Sequence, residues 1–452
     1  MDKLGRLDPL EVSVNKIAYF FRSLREKVWF YPVLYSLIAV VIAAASVLLD
    51  MKSLFWARGT VFALILTNLD IGRTILGIIA SSFITITTFT FSTTMVVLTM
   101  YTSQYSPRVV RNFLTQRNTL RVFGVFVSGF LYVMIILLFM SNFPPDKSIV
   151  SASIGIIYLL VGIVYFFRFI NSVASFIQAS SLTDRLKENA LAEIEAYKKS
   201  IAERKIVPAP GDSHKSTIDL IAGKDGYIRE YDFNQLQRVA DAYGIQVYMN
   251  KVAGQFVTRH TAIGWYENPG EPLSQEERAE AMDRILQGVY IGEERSEVQD
   301  FAFTIEKIAE LAVKALSPGI NDPNTAINCI RITSLLLREL SDLPSGFILL
   351  SVGDKEGEAA DSSVCVEAID FSLLLMNTYQ QMVNYGRADI GVMKEIIKSL
   401  RVIGECASDS NKQKIKEFGD YLWRKVKGER YDVLEIKMLE KEFGEFINSP
   451  GV

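Results

Sequence analysis

The stretch "SSFITITTFTFSTTMVVLTMYTSQYSPRVVRNFL", residues 81–114, decides how the chain is read. Eleven of its first 22 residues are Ser or Thr, and no charge occurs before Arg108. Its centre, "FITITTFTF" (83–91), alternates apolar and polar positions, the period of a half-buried strand, and is poor in strong helix formers. An isolated strand would leave its backbone N–H and C=O groups without partners in lipid, and three other apolar segments of helical length accompany this one. A helix is therefore the reading. It places Ser81, Thr85, Thr88, Ser92, Met95, Thr99 and Thr102 in one stripe, at alternating spacings of four and three. Ser82, Thr87, Thr90, Thr93 and Thr94 are the only other Ser or Thr among those positions.

Outward from this stretch, residues 33–49, 74–100, 122–141 and 149–167 carry no charge at all. A bilayer core of about 30 Å takes roughly 20 helical residues to cross. With 49% hydrophobic residues and a mean hydropathy of +0.20, the chain reads as a four-span membrane protein. The first segment is read as an anchored helix, not a cleaved signal, because about 30 residues precede it and three spans follow. Lys3, Arg6, Lys16, Arg22, Arg25 and Lys27 precede the first span, and Arg108, Arg111, Arg117 and Arg121 join the second to the third. The opposite loops hold only Lys52, Arg58, Arg73 and Lys147. Positive charge gathers on the cytoplasmic side, so both termini are expected in the cytoplasm.

The expected organisation is a basic amphipathic segment (1–32), a four-helix transmembrane domain (33–170), a helical connector (171–207), a small β-rich domain (208–272) and a mainly helical domain (273–452). Pro208 and Pro210 stop the connector, since proline cannot continue a helical hydrogen-bond ladder. One helix is expected near 233–243, and one strand at "GFILLSV" (346–352). The fold class is thus an α-helical membrane protein with a cytoplasmic α+β region.

Catalytic signatures are missing. The sequence contains no "GxxxxGK[ST]", "HExxH" or "GxSxG". The two histidines, His214 and His260, read as surface or satisfied core residues. Cys329, Cys365 and Cys406 are too far apart for metal-ligand spacing and read as free thiols. A net charge of −3 gives no reason to expect nucleic acid. Neither an enzyme nor a cofactor is expected, and spans without a buried acid or base argue against a proton-driven carrier. Asp70 and Arg73 sit at the outer edge of the second span.

Two readings of the hydroxyl stripe remain. Hydroxyls can hydrogen-bond between packed helices, or they can line a wet path assembled from several copies. In the second reading Thr85, Thr88, Ser92 and Thr99 line a pore, Phe91 and Met95 narrow it, and Arg108 with Arg111 forms a cationic cytoplasmic mouth. Arg108 and Arg111 could equally act as topological anchors at lipid phosphates.

The segments "FSTTMVVLTMYTSQYSPRVVRNFL" (91–114) and "QDFAFTIEKIAELAVKALSPGINDPNTA" (299–326) resemble those of bacterial predicted membrane proteins grouped as domain-of-unknown-function family 2254. "SPGINDP" is the most specific element and "QYSPR" the next. The resemblance covers most of the chain and implies a four-span N-terminal region with a cytoplasmic C-terminal region, but no activity or substrate. Within the motif, Ser317, Pro318 and Gly319 end one helix, and Asp322 followed by Pro323 has the form of an N-cap and first-turn proline. Asn321 and Asp322 could alternatively present oxygens at a subunit contact or to a cation. Nearby, Glu293, Glu294, Arg295, Glu297 and Asp300 read as a solvated charged face or an intersubunit ion-pair network.

The function expected from these features and from the resemblance is a homo-oligomeric ion channel of the bacterial inner membrane, gated by its cytoplasmic domain, whose partners are membrane lipid and permeant ions. The alternative is a membrane-anchored sensor or scaffold whose cytoplasmic domain binds a protein or small ligand.

Overall fold

A computed structural model describes residues 29–52, 66–104, 117–144, 147–177, 179–202, 206–207, 217–270, 272–343, 346–350 and 362–449. These fall into two compact units that divide between residues 181 and 182. Most of the described residues are helical, with four long apolar helices in the first unit and the larger sheets in the second.

The first unit contains α1 (Phe30–Lys52), β1 (Thr67–Asn68), α2 (Leu69–Gln104), α3 (Arg117–Met140), β2 (Ser148–Ile149) and α4 (Ser151–Ile177). Each of α1–α4 contains a stretch long and apolar enough to cross a membrane. The apolar part of α2, Leu69–Met100, is 32 residues long. At about 1.5 Å per residue it measures roughly 48 Å, well beyond a ~30 Å hydrocarbon core. The strand-like alternation at 83–91 did not prevail: helical hydrogen bonds satisfy that backbone without a neighbouring strand.

α3 is the central helix, packed against α1, α2 and α4. Small residues set the closeness of this packing. Phe83 of α2 is fully buried, and a Cβ on Gly129 of α3 or Gly162 of α4 would come within 2.5 and 2.9 Å of its ring. Polar ties join the same helices. Ser128 Oγ lies 2.6 Å from Tyr158 Oη, and the Tyr132 hydroxyl donates to the Ser151 carbonyl at 2.9 Å. β1 and β2 pair antiparallel where α1 and α3 end and α2 and α4 begin. At that same end Asp50 is buried inside α1, which corrects the expectation of spans without a buried acid.

The second unit begins within α5 (Ala179–Ala202). Leu182, Leu186, Ala190 and Ile194 recur every four residues as its buried face. Lys198 at its far end reaches the Glu339 carbonyl and Asp342. Next come β3 (Ile206–Val207), β4 (Thr217–Ile221), β5 (Gly226–Tyr231), α6 (Phe233–Tyr243), β6 (Gln246–Met249), β7 (Phe256–Val257), β8 (Ala262–Glu267), α7 (Gln275–Gln287) and β9 (Val289–Gly292). The remaining elements are α8 (Phe301–Ala315), α9 (Pro323–Leu340), β10 (Phe347–Leu349), β11 (Ser363–Glu367), α10 (Phe371–Gly386), α11 (Ile390–Gly404), α12 (Asp409–Lys427) and α13 (Val433–Ile447).

Six strands form one sheet in the order β3-β10-β11-β6-β8-β4, with β11 and β6 parallel and the other pairs antiparallel. The sheet therefore does not stop at residue 272. β10 and β11 complete it from far along the chain, because Val364 and Val366 fill the same core as Val247 and Met249. Leu236, Val239 and Ala240 of α6 join that core. On the other face Tyr248 stacks on Trp265 at 5.3 Å beside Phe347. The later helices pack on one another, α8 against α9 and α10, and α11 against α9, α12 and α13.

Candidate functional site

The candidate site is the outward face of α2. Leu76, Ile79, Phe83, Thr90, Thr94 and Val97 are buried and form the side turned to the rest of the first unit. Ser81, Thr85, Thr88, Ser92, Met95 and Thr99 lie half a helical turn away, and all six are exposed. The hydroxyl stripe thus does not pack inside its own bundle. Ile84 and Phe91 flank it on one edge, and Ile78, Phe89 and Val96 on the other, all of them exposed.

This face differs from the outward faces of the other three spans. Every exposed residue of α1 between 33 and 51, of α3 between 119 and 140, and of α4 between 151 and 167 is apolar. Leu37, Val41, Leu138, Ile157 and Leu160 are typical, and they suit contact with lipid chains. Along α2 the corresponding positions alternate between hydroxyls and large apolar side chains.

Three of the stripe's hydroxyls have local partners. Thr85 Oγ1 donates to the Ser81 carbonyl at 2.9 Å, and Thr99 Oγ1 to Met95 at 2.9 Å. Ser81 Oγ donates to Gly77 at 3.1 Å. Such bonds to the carbonyl four residues back remove the donor's need for another partner, while the hydroxyl oxygen keeps lone pairs for a second contact.

Sequence reading stopped the stripe at Ser81, but it continues. Thr74 is exposed, Gly77 lies on the same line, and an open groove of about 570 Å³ is lined there by Thr74, Gly77, Ser81, Ser82 and Thr85 together with Ile78 and Ile86. The same spacing of three and four, followed backwards from Ser81, would have found both. Of the gate candidates, Met95 lies in the stripe and Phe91 at its edge. Arg108 and Arg111 lie outside the described residues, as do His214 and residues 1–28.

The "SPGINDP" element forms a tight corner. Asn321 takes a left-handed backbone (φ 51°) after α8, and its N–H bonds the Ser317 carbonyl at 2.9 Å. Ser317 Oγ donates to the Lys314 carbonyl at 2.7 Å. Asp322 caps α9, accepting from Thr325 N at 3.1 Å and from Thr325 Oγ1 at 2.5 Å, and Pro323 opens the helix. These bonds hold the Asp322 carboxyl below the usual carboxylate range. Pro318, Gly319 and Asn321 are exposed on the corner.

In the neighbouring charge cluster Glu293 and Glu294 are exposed, whereas its centre is paired within the chain. Arg295 bonds Asp300 through two nitrogens, at 2.9 and 3.0 Å, and Glu306 through a third at 2.5 Å. Its guanidinium lies 4.6 Å from the Phe303 ring centre. Asp300 is 1% exposed and caps α8 by accepting from Phe303 N. Lys307 pairs with Glu297 beneath the same ring. A Cβ on Gly254, whose φ is +90°, would strike the Asp300 carboxylate, so the close approach there requires glycine. Among the described residues no group of three or more His, Cys, Asp or Glu could hold a metal ion.

Uncharacterized proteins of Mycobacterium bovis and Mycobacterium tuberculosis are each 26% identical to this chain over 269 residues, 57% of this chain and 50% of the relative. The chain thus matches about half the length of these relatives. No solved structure matches it. The model of the predicted-membrane-protein family DUF2254 matches residues 25–402, most of the chain, and the protein belongs to that family.

Proposed function

We propose that the protein is a homo-oligomeric ion channel, not an enzyme, in which copies of α2 line the conducting path and the second unit sets the gate. The outward hydroxyl stripe carries this reading. A lone copy would present Thr85, Thr88, Ser92 and Thr99 to lipid, whereas copies arranged around an axis would turn them onto water and passing ions. The flanking Ile84, Phe91, Phe89 and Val96 would then pack between neighbouring copies, and Met95 would narrow the path as an apolar constriction. Arg108 and Arg111 would stand at its cytoplasmic mouth. The excess of Lys and Arg before the first span and between the second and third supports an inner-membrane orientation with both termini inside.

One observation favours the sensor or scaffold as the second reading. Hydroxyls bonded to their own helix can face lipid or another helix without conducting anything.

The test is single-channel recording of purified protein in planar bilayers, with Ser92→Phe on the stripe and Leu160→Phe on the outward face of α4. Discrete openings altered by Ser92→Phe and untouched by Leu160→Phe are the expected result. Accessibility provides the structural counterpart, in a Cys406→Ser background because Cys406 is exposed. Single cysteines at 85, 88, 92 and 99 should react with water-soluble thiol reagents, while those at 97, 157 and 160 should not. Silence under voltage, tension and osmotic steps, from a stable oligomer with unreactive stripe positions, would transfer the assignment to the sensor or scaffold.

A further inference from the structure

Asp50 is an acid placed where a membrane bundle would ordinarily avoid one. It lies near the end of α1 and is 4% exposed. Its Oδ1 accepts from the Val150 backbone N–H at 2.8 Å, where α4 begins. Among the described residues its buried Oδ2 has no hydrogen-bond partner, and neither has the Oγ of fully buried Ser151 next to Val150. Other oxygens stand beside these residues. Ser46 stands one turn before Asp50 on the same face of α1. The Tyr132 hydroxyl of α3 is 2.9 Å from the Ser151 carbonyl oxygen and 3.3 Å from Ser46 Oγ. Ser46 Oγ in turn donates to the Ile42 carbonyl at 2.7 Å. With their protons directed at carbonyls, the Tyr132 and Ser46 oxygens retain lone pairs.

Withdrawing a carboxylate from water costs far more than one backbone N–H returns, so a buried carboxyl group either holds a proton or takes a positive partner. Among the described residues no Lys or Arg pairs with Asp50. We propose that Asp50, Ser151, Tyr132 and Ser46 form a binding site for one small monovalent metal cation of the sodium class. Oxygen-only ligands select a hard cation. A single carboxylate selects one positive charge, because a divalent ion would leave an unmatched charge among apolar helices. Bound there, the ion ties the end of α1 to α3 and to the first turn of α4. The inference does not depend on α2 lining a conducting path.

The test is thermal unfolding of the detergent-purified full chain in sodium, potassium and choline chloride at matched ionic strength, alongside direct binding of radioactive sodium. Saturating sodium should raise the melting temperature over choline by about 3 °C or more, with a dependence on sodium concentration. Asp50→Asn should abolish both the shift and the binding. Ser151→Ala retains the carbonyl that Tyr132 uses, so it reports on the site even if Asp50→Asn fails to fold, and it should weaken binding at least tenfold. Equal melting in sodium and choline would overturn the proposal, as would sodium binding unchanged in Ser151→Ala. A stabilisation that follows pH but not sodium would also overturn it, and would make the occupant a proton.

Discussion

Around Arg295 the polar atoms turn inward onto one another, whereas those of the α2 stripe turn away from the rest of their unit. Asp300, Glu306 and Arg295 satisfy each other within one chain, and the Phe303 ring covers them. The α2 hydroxyls lean on their own helix and present what remains of their hydrogen-bonding capacity outward. Polar groups of the first kind are consumed in holding the first turns of α8 to the loop that precedes it. Those of the second kind contribute little to the bundle that carries them and remain available to water, ions or another copy. The difference separates polar groups paired within the chain from polar groups whose remaining hydrogen-bonding capacity faces outward.

The sharpest way to break that contrast is to unpair the buried cluster. Arg295→Met leaves Asp300 and Glu306 as uncompensated charges and should destabilise the second unit by about 3–5 kcal/mol. Arg331→Met, which removes the exposed partner of Glu395, should cost about 1 kcal/mol or less. Denaturant unfolding followed by tryptophan fluorescence measures both, and equal losses would erase the distinction between buried and exposed pairs.

A smaller effect is expected at the "SPGINDP" corner, where a partly exposed acid serves the fold. Asp322→Ala removes an N-cap and should cost about 0.5–2 kcal/mol. The Asp322 carboxyl is held below its ordinary value in the folded protein by its bonds from Thr325. Its contribution is therefore present above the unfolded carboxylate's pKa of about 3.9 and is lost as pH falls through the lower folded value. Asp322→Asn should flatten this acid limb of the stability profile, and an unchanged profile would remove Asp322 from the corner's energetics.

The smallest effect is expected on the stripe itself. Thr88→Val and Ser92→Ala should leave the melting of the purified protein within about 0.5 kcal/mol of the parent. On the opposite face of the same helix, Phe83→Ala should be costly, because Gly129 and Gly162 shape the space its ring fills. A large stability loss at Thr88 or Ser92 would mean that the stripe is a packing surface already used in the isolated protein.

Local features were legible in the sequence. α6 occupies Phe233–Tyr243, where one helix was expected, and Asp322 with Pro323 opens α9 as their order required. Cys329 and Cys365 are buried free thiols, their pKa values pushed up by burial to about 12 and about 11. The Arg295 cluster was misread because charge density in a sequence does not reveal which groups will be covered. Asp50 escaped notice because the charge-free run ends one residue before it, while the helix continues to Lys52.

By itself the sequence determined four apolar helices and a stripe of hydroxyls along the second, since both depend on runs and spacings within a single segment. Hydrogen bonds four residues apart and the length of an apolar run are local quantities, and they need no knowledge of the rest of the chain. Only the tertiary structure decided that the stripe faces outward, that Asp50 meets Val150, and that β11 pairs with β6 across more than a hundred residues. Those outcomes depend on which surfaces fill one another, as when Phe83 enters the gap left by two glycines on two other helices, and that complementarity is not contained in any one segment.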